Sequence, residues 1–480
     1  MKLEKISSNM MVAMVSRVIT ALLALAIVGL LTRYLGRTGY GQYSTVISYM
    51  MIFITLADLG IYTLFLREVS KPGVDESKIS SNFFSLRLAT VLIVVLIANV
   101  IRIFLPYPSV VKTGILIVSL FGVFSSLSQV IAGIFQKYLT FYIVSISDII
   151  TSLIQIVVVF VSIKANLGLY AFLSAVAISS GAQFVFTFLL SQRYVRTKFA
   201  FDWELWKKIF KTALPVAVSV VFTLIYFRLD TIMISLMKPI GDVGVYNVAT
   251  KVLEMIVFFP SMYASLVMPA LAKYSCSDKN QFLGVFKKTF DIFSVFAVIV
   301  VAGVLILADE AVSIIGGVEF LSSALPLRII APAIGMIFLG NLGGRTIIVL
   351  NLQKYGMWIY LTGAVFNFVA NLFLIPKFSY NGAAFSTLVT EVIVTALLFI
   401  LIKKKAGYSA GLKVFFKSLF SGLLAMLPFL IIRGLNPFIA AFVGVLIYFS
   451  SLYLIKGFIL KDIKEIFSSK VPGEIEITQS

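Results

Sequence analysis

FFSLRLATVLIVVLIANVIRIFL, residues 83–105, decides how the chain can fold. As an α-helix it is about 35 Å long at 1.5 Å per residue, enough to cross a hydrocarbon core of about 30 Å. Runs of this kind recur along the whole chain, which is 60% hydrophobic and 13% charged over 480 residues. Soluble domains are roughly 45–50% apolar and about 25% charged, so no soluble fold hides this much apolar surface. The expected fold class is an all-α polytopic membrane protein.

Apolar windows read against charged and Pro/Gly breaks give about fourteen spans. They cover residues 10–32, 43–66, 83–105, 113–135, 142–163, 168–191, 213–236, 244–271, 288–308, 326–351, 357–376, 380–402, 413–433 and 437–459. The first run is longer than a signal peptide core and carries Arg17, so it is read as an uncleaved first helix. Basic residues stay on the cytoplasmic side of a membrane. One set of alternate loops, from Lys2 and Lys5 through Arg67–Lys78, Arg193–Lys211, Lys273–Lys288 and Lys403–Lys417 to the tail, holds about 26 cations. The other set, which includes Arg33, Arg37, Lys164, Lys238 and Arg328, holds about nine. This predicts a multi-pass protein of the plasma (inner) membrane with both termini cytoplasmic. The net charge of +19 then follows from loops beside anionic headgroups, and no nucleic-acid partner is expected. Residues 201–211, with Trp203, Trp206, Lys207 and Lys208, read as an amphipathic helix on the inner surface, where membrane lipids are its partners.

The chain has no histidine and one cysteine, Cys276, which removes His-based metal sites, Ser-His-Asp chemistry and a disulfide framework. It also lacks the G-x-x-x-x-G-K-[ST] loop that would cradle ATP phosphates. An enzyme is not expected. Two echoes do point to a transporter. Gly41-Gln-Tyr43-Ser44 is matched by Gly244-Val-Tyr246-Asn247, and Lys164-Ala-Asn-Leu-Gly168 by Lys377-Phe-Ser-Tyr-Asn-Gly382, each about 200 residues apart. That spacing predicts two pseudo-symmetric six-helix lobes, 1–200 and 201–404, followed by a C-terminal pair of helices and a tail in 405–480. Such lobes enclose a cleft that opens to either side by rocking.

Several strings resemble the multidrug/oligosaccharidyl-lipid/polysaccharide exporter superfamily, and within it the polysaccharide flippases typified by O-antigen translocases. They are LTRYLGRTGYGQYS from Leu31, ADLGI from Ala57 followed by LREVSK, ALPVAVSVVFTLIYFRLDTIMIS from Ala213, VGVYNVATKVLE from Val243, VMPAL from Val267 and FNFVANLFLIPKFSYNGAAFSTLVTE from Phe366. The resemblance implies alternating access that carries an undecaprenyl-type, (pyro)phosphate-linked glycan from the inner to the outer leaflet, with glycan assembly proteins as partners. It also implies a lipid-tail groove formed by spans thirteen and fourteen. The runner-up is a multidrug/cation antiporter of the same superfamily, which typically lacks that final pair. A membrane-embedded polysaccharide polymerase or ligase is less favoured, since no outer loop is long.

An ionisable side chain at mid-span costs about 2.5–3.5 kcal/mol on insertion scales, so each must face a partner, water or substrate. The candidates are Arg17, Asp58, Arg87, Asp148, Arg228, Asp230, Lys251, Glu254, Arg345 and Glu391. By resemblance, cations on spans one and eight meet the substrate pyrophosphate, which places Arg17 and Lys251 there. Arg345 and Arg228 are counted with them as substrate cations, although Arg87 and Arg345 are also placed to snorkel. Lys251 and Glu254, three apart, equally fit an intrahelical pair. Asp230, Asn367, Asn371 and Thr387 offer a carboxylate, two amide carbonyls and a hydroxyl, hard ligands for a small cation. The set resembles the sodium site of the lipid II flippases, with Asn371 where an acidic residue is usual there. The asparagines equally fit ordinary helix-to-helix glue. Asp58, Asp148, Glu254 and Glu391 are further intramembrane charges. No resident cofactor is expected beyond sodium or proton coupling.

Overall fold

The computed structural model describes residues 2–58, 60–275, 277–432 and 436–457, with side-chain surroundings given for all of these except 2–11, 13 and 212–227. Cys276, Arg433 and the end of the tail lie outside the described residues, as does the side chain of Pro215. The described chain is helical from end to end, with no strand among the described residues. In order the helices are α1 (Lys2–Asp58), α2 (Ile61–Val69), α3 (Glu76–Phe104), α4 (Ser109–Lys137), α5 (Tyr142–Lys164), α6 (Leu169–Ser191), α7 (Trp203–Met237), α8 (Ile240–Ser275), α9 (Lys279–Ile306), α10 (Ala308–Gly316), α11 (Ala324–Val349), α12 (Gln353–Ala406), α13 (Lys413–Ile431) and α14 (Pro437–Leu454). A 3-10 turn, Val318–Ser323, joins α10 to α11.

Eleven helical segments are long and apolar enough to cross a membrane, and two of them, Met14–Val69 and Gln353–Ala406, have the length for two crossings each. With α7 these account for every span expected from the sequence. The connections differ from expectation at two places. Spans one and two meet not through a loop but at Gly36, whose φ of 63° lies where L side chains are strained. Spans eleven and twelve meet at Ser379, φ 49°, three residues after Pro376, whose missing N–H has already weakened the helix. Span two is broken again at Gly60, φ 73°, which separates α2 from α1. The amphipathic stretch is no separate surface helix: it is the first part of α7 and continues into span seven.

Packing divides the chain into two units, Met1–Asn247 with Ile315–Glu319, and Val248–Ile314 with Phe320–Ser480. The division falls within α8 rather than near residue 200, so α7 and the start of α8 pack with spans one to six. In the first unit Val46, Met50 and Ile54 of α1 interlock with Val111, Ile115 and Val118 of α4 and with Leu173 of α6. A second cluster joins Phe65 of α2 and Phe83 of α3 to Ile131, Ile134 and Phe135 of α4. In the second unit Phe282, Phe286 and Phe290 of α9 pack against Leu342 of α11 and Leu398 of α12. α13 and α14 attach to α9 through Val295, Ala425 and Tyr448, whose hydroxyl donates to the Val295 carbonyl at 2.8 Å.

Lipid tails are as apolar as leucine, so close backbone approach and hydrogen bonds, not burial from water, hold such helices together. A methyl group on Gly114 would fall 2.7 Å from Leu173, one on Gly133 2.7 Å from Phe65, and one on Gly422 2.4 Å from Val298. The glycines of α11 have the same job. Gly340 abuts Thr395, Gly343 Leu398 and Gly344 the Tyr360 hydroxyl, all on α12. Pro260, Pro269, Pro332 and Pro428 lie inside helices that continue through them. The large apolar side chains of α13 and α14 that face away, such as Leu423, Leu430, Phe442 and Leu446, are exposed and meet the bilayer.

Candidate functional site

The intramembrane charges fall into two groups: those neutralised by the fold and those left open. Arg87 on α3 belongs to the first. It is 1% exposed and lies 2.8 Å from Asp58. It donates to the carbonyl of Ala57 at 2.8 Å, to Gln129 Oε1 at 2.8 Å and to the Ser126 carbonyl at 3.3 Å. Ala57 and Asp58 end the first part of span two, where the break at Gly60 frees carbonyls that a guanidinium, with its five N–H donors, can reach. The snorkelling read for Arg87 is thus replaced by a buried joint between α1, α3 and α4, with Asp58 as its counter-ion.

Lys251 and Glu254 are also mutually occupied. Their Nζ–Oε2 distance is 2.6 Å along one face of α8, with both side chains half-exposed. Asp230 on α7 is buried and accepts a hydrogen bond from Tyr246 of α8 at 2.6 Å, while Arg228, two residues earlier, is half-buried.

Arg17 on α1 is exposed, and among the described residues no carboxylate lies within ion-pair distance of it. It is within electrostatic reach of Asp148 on α5, whose Oδ1 accepts a hydrogen bond from Gln183 Nε2 of α6 at 2.7 Å. Three spans therefore bring a cation, an acid and an amide to one partly exposed place. A counterpart exists in the second unit. Arg345 on α11 donates to Ser265 Oγ of α8 at 3.1 Å, Ser265 donates on to the Ser261 carbonyl at 2.8 Å, and Ser261 Oγ donates to Asn341 Oδ1 at 2.9 Å. The Tyr360 hydroxyl lies within electrostatic reach of both Arg345 and the buried Glu391. Arg345 has hydroxyl partners and, like Arg17, no carboxylate within ion-pair distance among the described residues.

Of the four oxygen donors proposed for a cation, Asn367, Asn371 and Thr387 lie on α12 and Asp230 on α7. Asn367 and Asn371, both fully buried, face Ser386. Asn371 Nδ2 donates to Asn367 Oδ1 at 3.1 Å, Asn367 Nδ2 to Ser386 Oγ at 3.4 Å, and Ser386 Oγ to Asn371 Oδ1. Thr387 Oγ1 donates back to the Ala383 carbonyl at 2.9 Å. Both amide oxygens thus accept from protein donors. The triad fits the joining of spans eleven and twelve. Among the described residues no group of three or more acidic, histidine or cysteine side chains is arranged for a metal.

Gln183, Tyr246 and Ser386 take part in these arrangements but were not singled out in the sequence. Neutral polar residues in a span cost little on their own, so only Tyr246, within the repeated Gly-x-Tyr string, carried any signal.

Among proteins of known role, the chain is 24% identical over 173 residues to a probable low-salt glycan biosynthesis flippase of Haloferax volcanii. The match spans 36% of this chain and 37% of that relative, so the shared segment is about a third of each. The fold is similar to that of the lipid II flippase MurJ in an inward closed conformation, with a TM-score of 0.79 and 16% identity over 93% of this chain and 98% of that one. It is also similar to an inward-facing multidrug resistance transporter of the MATE family, with a TM-score of 0.61 and 13% identity over 83% of this chain and 98% of the other. Residues 6–275, more than half of the chain, match the polysaccharide biosynthesis protein model, and the chain belongs to that family.

Proposed function

We propose that this protein is a flippase that moves a (pyro)phosphate-linked, lipid-borne oligosaccharide from the inner to the outer leaflet of the plasma membrane by alternating access. One observation carries the reading. Arg17 and Arg345 sit at membrane depth, half-exposed or exposed, without the ion pair that satisfies Arg87. An arginine in that position costs about 2.5–3.5 kcal/mol to insert, and a polar, anionic cargo recovers that cost. The planar fork of guanidinium donors matches phosphate oxygens. The flippase relative and the MurJ fold support the same cargo class.

The Lys/Arg asymmetry orients the chain with both termini in the cytoplasm, so the ends bearing Lys137, Arg193 and Lys403 are the inner ones. The head group enters from that side, meets Arg17 and Arg345 in the course of transfer while the lipid tail stays in the bilayer, and leaves on the other. With an inside-negative potential, each net negative charge carried outward gains up to about 2.3 kcal/mol per 100 mV. The fit of the MATE fold favours one competing cargo, an organic cation, for which Asp148 and Glu391 rather than the arginines would be the contacts. Reconstitution in liposomes separates the two. Translocation of a fluorescent polyprenyl-pyrophosphoryl sugar that Arg17→Ala abolishes supports the flippase. Efflux of cationic dyes without glycolipid movement supports the antiporter.

A further inference from the structure

We infer that α8, α11 and α12 form a sugar subsite around Arg345, where hydroxyl and amide groups recognise the sugar ring next to the phosphate of the cargo. The identity of its ligand rests on the flippase reading above, and its existence rests on geometry within the second unit. Ser261 and Ser265 lie four residues apart on α8, and Asn341 and Arg345 four apart on α11, so each pair shares one face of its helix. The two faces meet rung by rung. Ser261 Oγ donates to Asn341 Oδ1 at 2.9 Å, and Arg345 Nη2 donates to Ser265 Oγ at 3.1 Å. Four residues rise about 6 Å along a helix, a length comparable with that of one pyranose ring.

This ladder differs from a joint in how much hydrogen-bonding capacity it leaves open. The ring of Asn367, Asn371 and Ser386 is buried, and its groups bond one another. Ser265, by contrast, is exposed, and Ser261, Asn341 and Arg345 are half-buried. Among the described residues the Arg345 guanidinium makes one hydrogen bond, so most of its five N–H donors are unused. Asn341 Nδ2 gives one of its two hydrogens to the Ile337 carbonyl at 2.9 Å and keeps the other. Acceptors are left open as well. Pro269 has no N–H, so the Ser265 carbonyl four residues earlier has no helical partner. Tyr360 of α12 brings a hydroxyl to the same place, since a methyl group on Gly344, next to Arg345 in the chain, would fall 3.0 Å from it. That hydroxyl makes no hydrogen bond among the described residues and can give or take one.

A phosphate oxygen can only accept, so a phosphate site needs donors alone. A sugar hydroxyl both donates and accepts, and a place that offers donors beside acceptors matches it. The position suits loading. Arg345 lies one turn from the end of α11 that the Lys/Arg asymmetry puts inside, where the head group enters.

The test uses the full chain in lipid nanodiscs and a fluorescent polyprenyl pyrophosphate as the bound probe. Unlabelled polyprenyl pyrophosphate competes for it, as do polyprenyl-pyrophosphoryl glucose, galactose and N-acetylglucosamine. At least one sugar-bearing competitor should bind the parent about tenfold or more tighter than the bare pyrophosphate. Ser261→Ala and Tyr360→Phe should each bring that ratio to within about twofold, with the loss falling on the sugar-bearing ligands, whereas Arg345→Ala should weaken every competitor together. A purely structural ladder would lower the melting temperature and leave the ratio intact, which would overturn the subsite. If Ser261→Ala does not fold, Tyr360→Phe, which removes one oxygen and keeps the ring, decides alone. A parent that binds the bare pyrophosphate as tightly as every sugar-bearing form would overturn the subsite and leave the flippase reading. A parent that binds no probe at all would remove both.

Discussion

Arg17 and Arg87 carry the same guanidinium within apolar spans, and their surroundings set them different tasks. Arg87 spends its donors on Ala57, Gln129, Ser126 and Asp58, so its charge and the Ala57 carbonyl beside the break at Gly60 are satisfied within the fold. Arg87→Ala leaves Asp58 uncompensated and should lower stability by about 3–5 kcal/mol, read as a fall in the melting temperature of the purified protein. Arg17→Ala breaks no such set, and should leave the melting temperature within the scatter of surface substitutions, about ±0.5 kcal/mol, while transport falls at least tenfold. The sequence placed Arg17 with the substrate and Arg87 to snorkel, and it could not show that Arg87 is bound within the fold, because the Ala57 and Ser126 carbonyls and Gln129 that claim it lie on other helices.

At the scale of elements, glycines and neutral polar side chains decide which helices join. Asn367, Asn371 and Ser386 close a ring of hydrogen bonds between the two halves of α12. Asn371→Leu should cost about 0.6–2 kcal/mol of stability, the ordinary worth of such glue, and leave any sodium dependence of transport unchanged. A loss of sodium coupling in that variant would restore the cation site read from the sequence. Asp202 caps α7, accepting from the Leu205 amide at 3.1 Å and pairing with Lys78 of α3 at 2.9 Å. The Lys78 bond foremost, then the Leu205 amide, holds its carboxyl below the ordinary value of 3.8. A depressed carboxyl stabilises the fold above that value and ceases to as pH falls through its lower, folded one. Asp202→Ala should therefore lower the melting temperature at pH 7, and the gap from the parent should close on acidification below about pH 4. The span boundaries were legible because hydropathy reports them directly. The breaks at Gly36 and Ser379 were not, since a single residue of positive φ replaces the polar loop that a hydropathy scan looks for.

For the whole molecule, the repeat was visible as two short echoes, and the contact of Gly41 with Gly244 shows only in the structure. Contact between residues some 200 apart is set by tertiary packing, which no local pattern encodes. The same limit explains why α7 and the start of α8 pack with the first unit, although the sequence placed the boundary near residue 200. What the chain did reveal by itself is the cost of its interior charges, and from that cost the anionic cargo was argued. The most direct measurement is leaflet exchange of a fluorescent polyprenyl-pyrophosphoryl oligosaccharide in liposomes holding the parent protein, Arg17→Ala, or Arg345→Ala. The account predicts exchange by the parent and its loss in both variants, each folded and melting near the parent temperature. Undiminished exchange in folded Arg17→Ala and Arg345→Ala would contradict it.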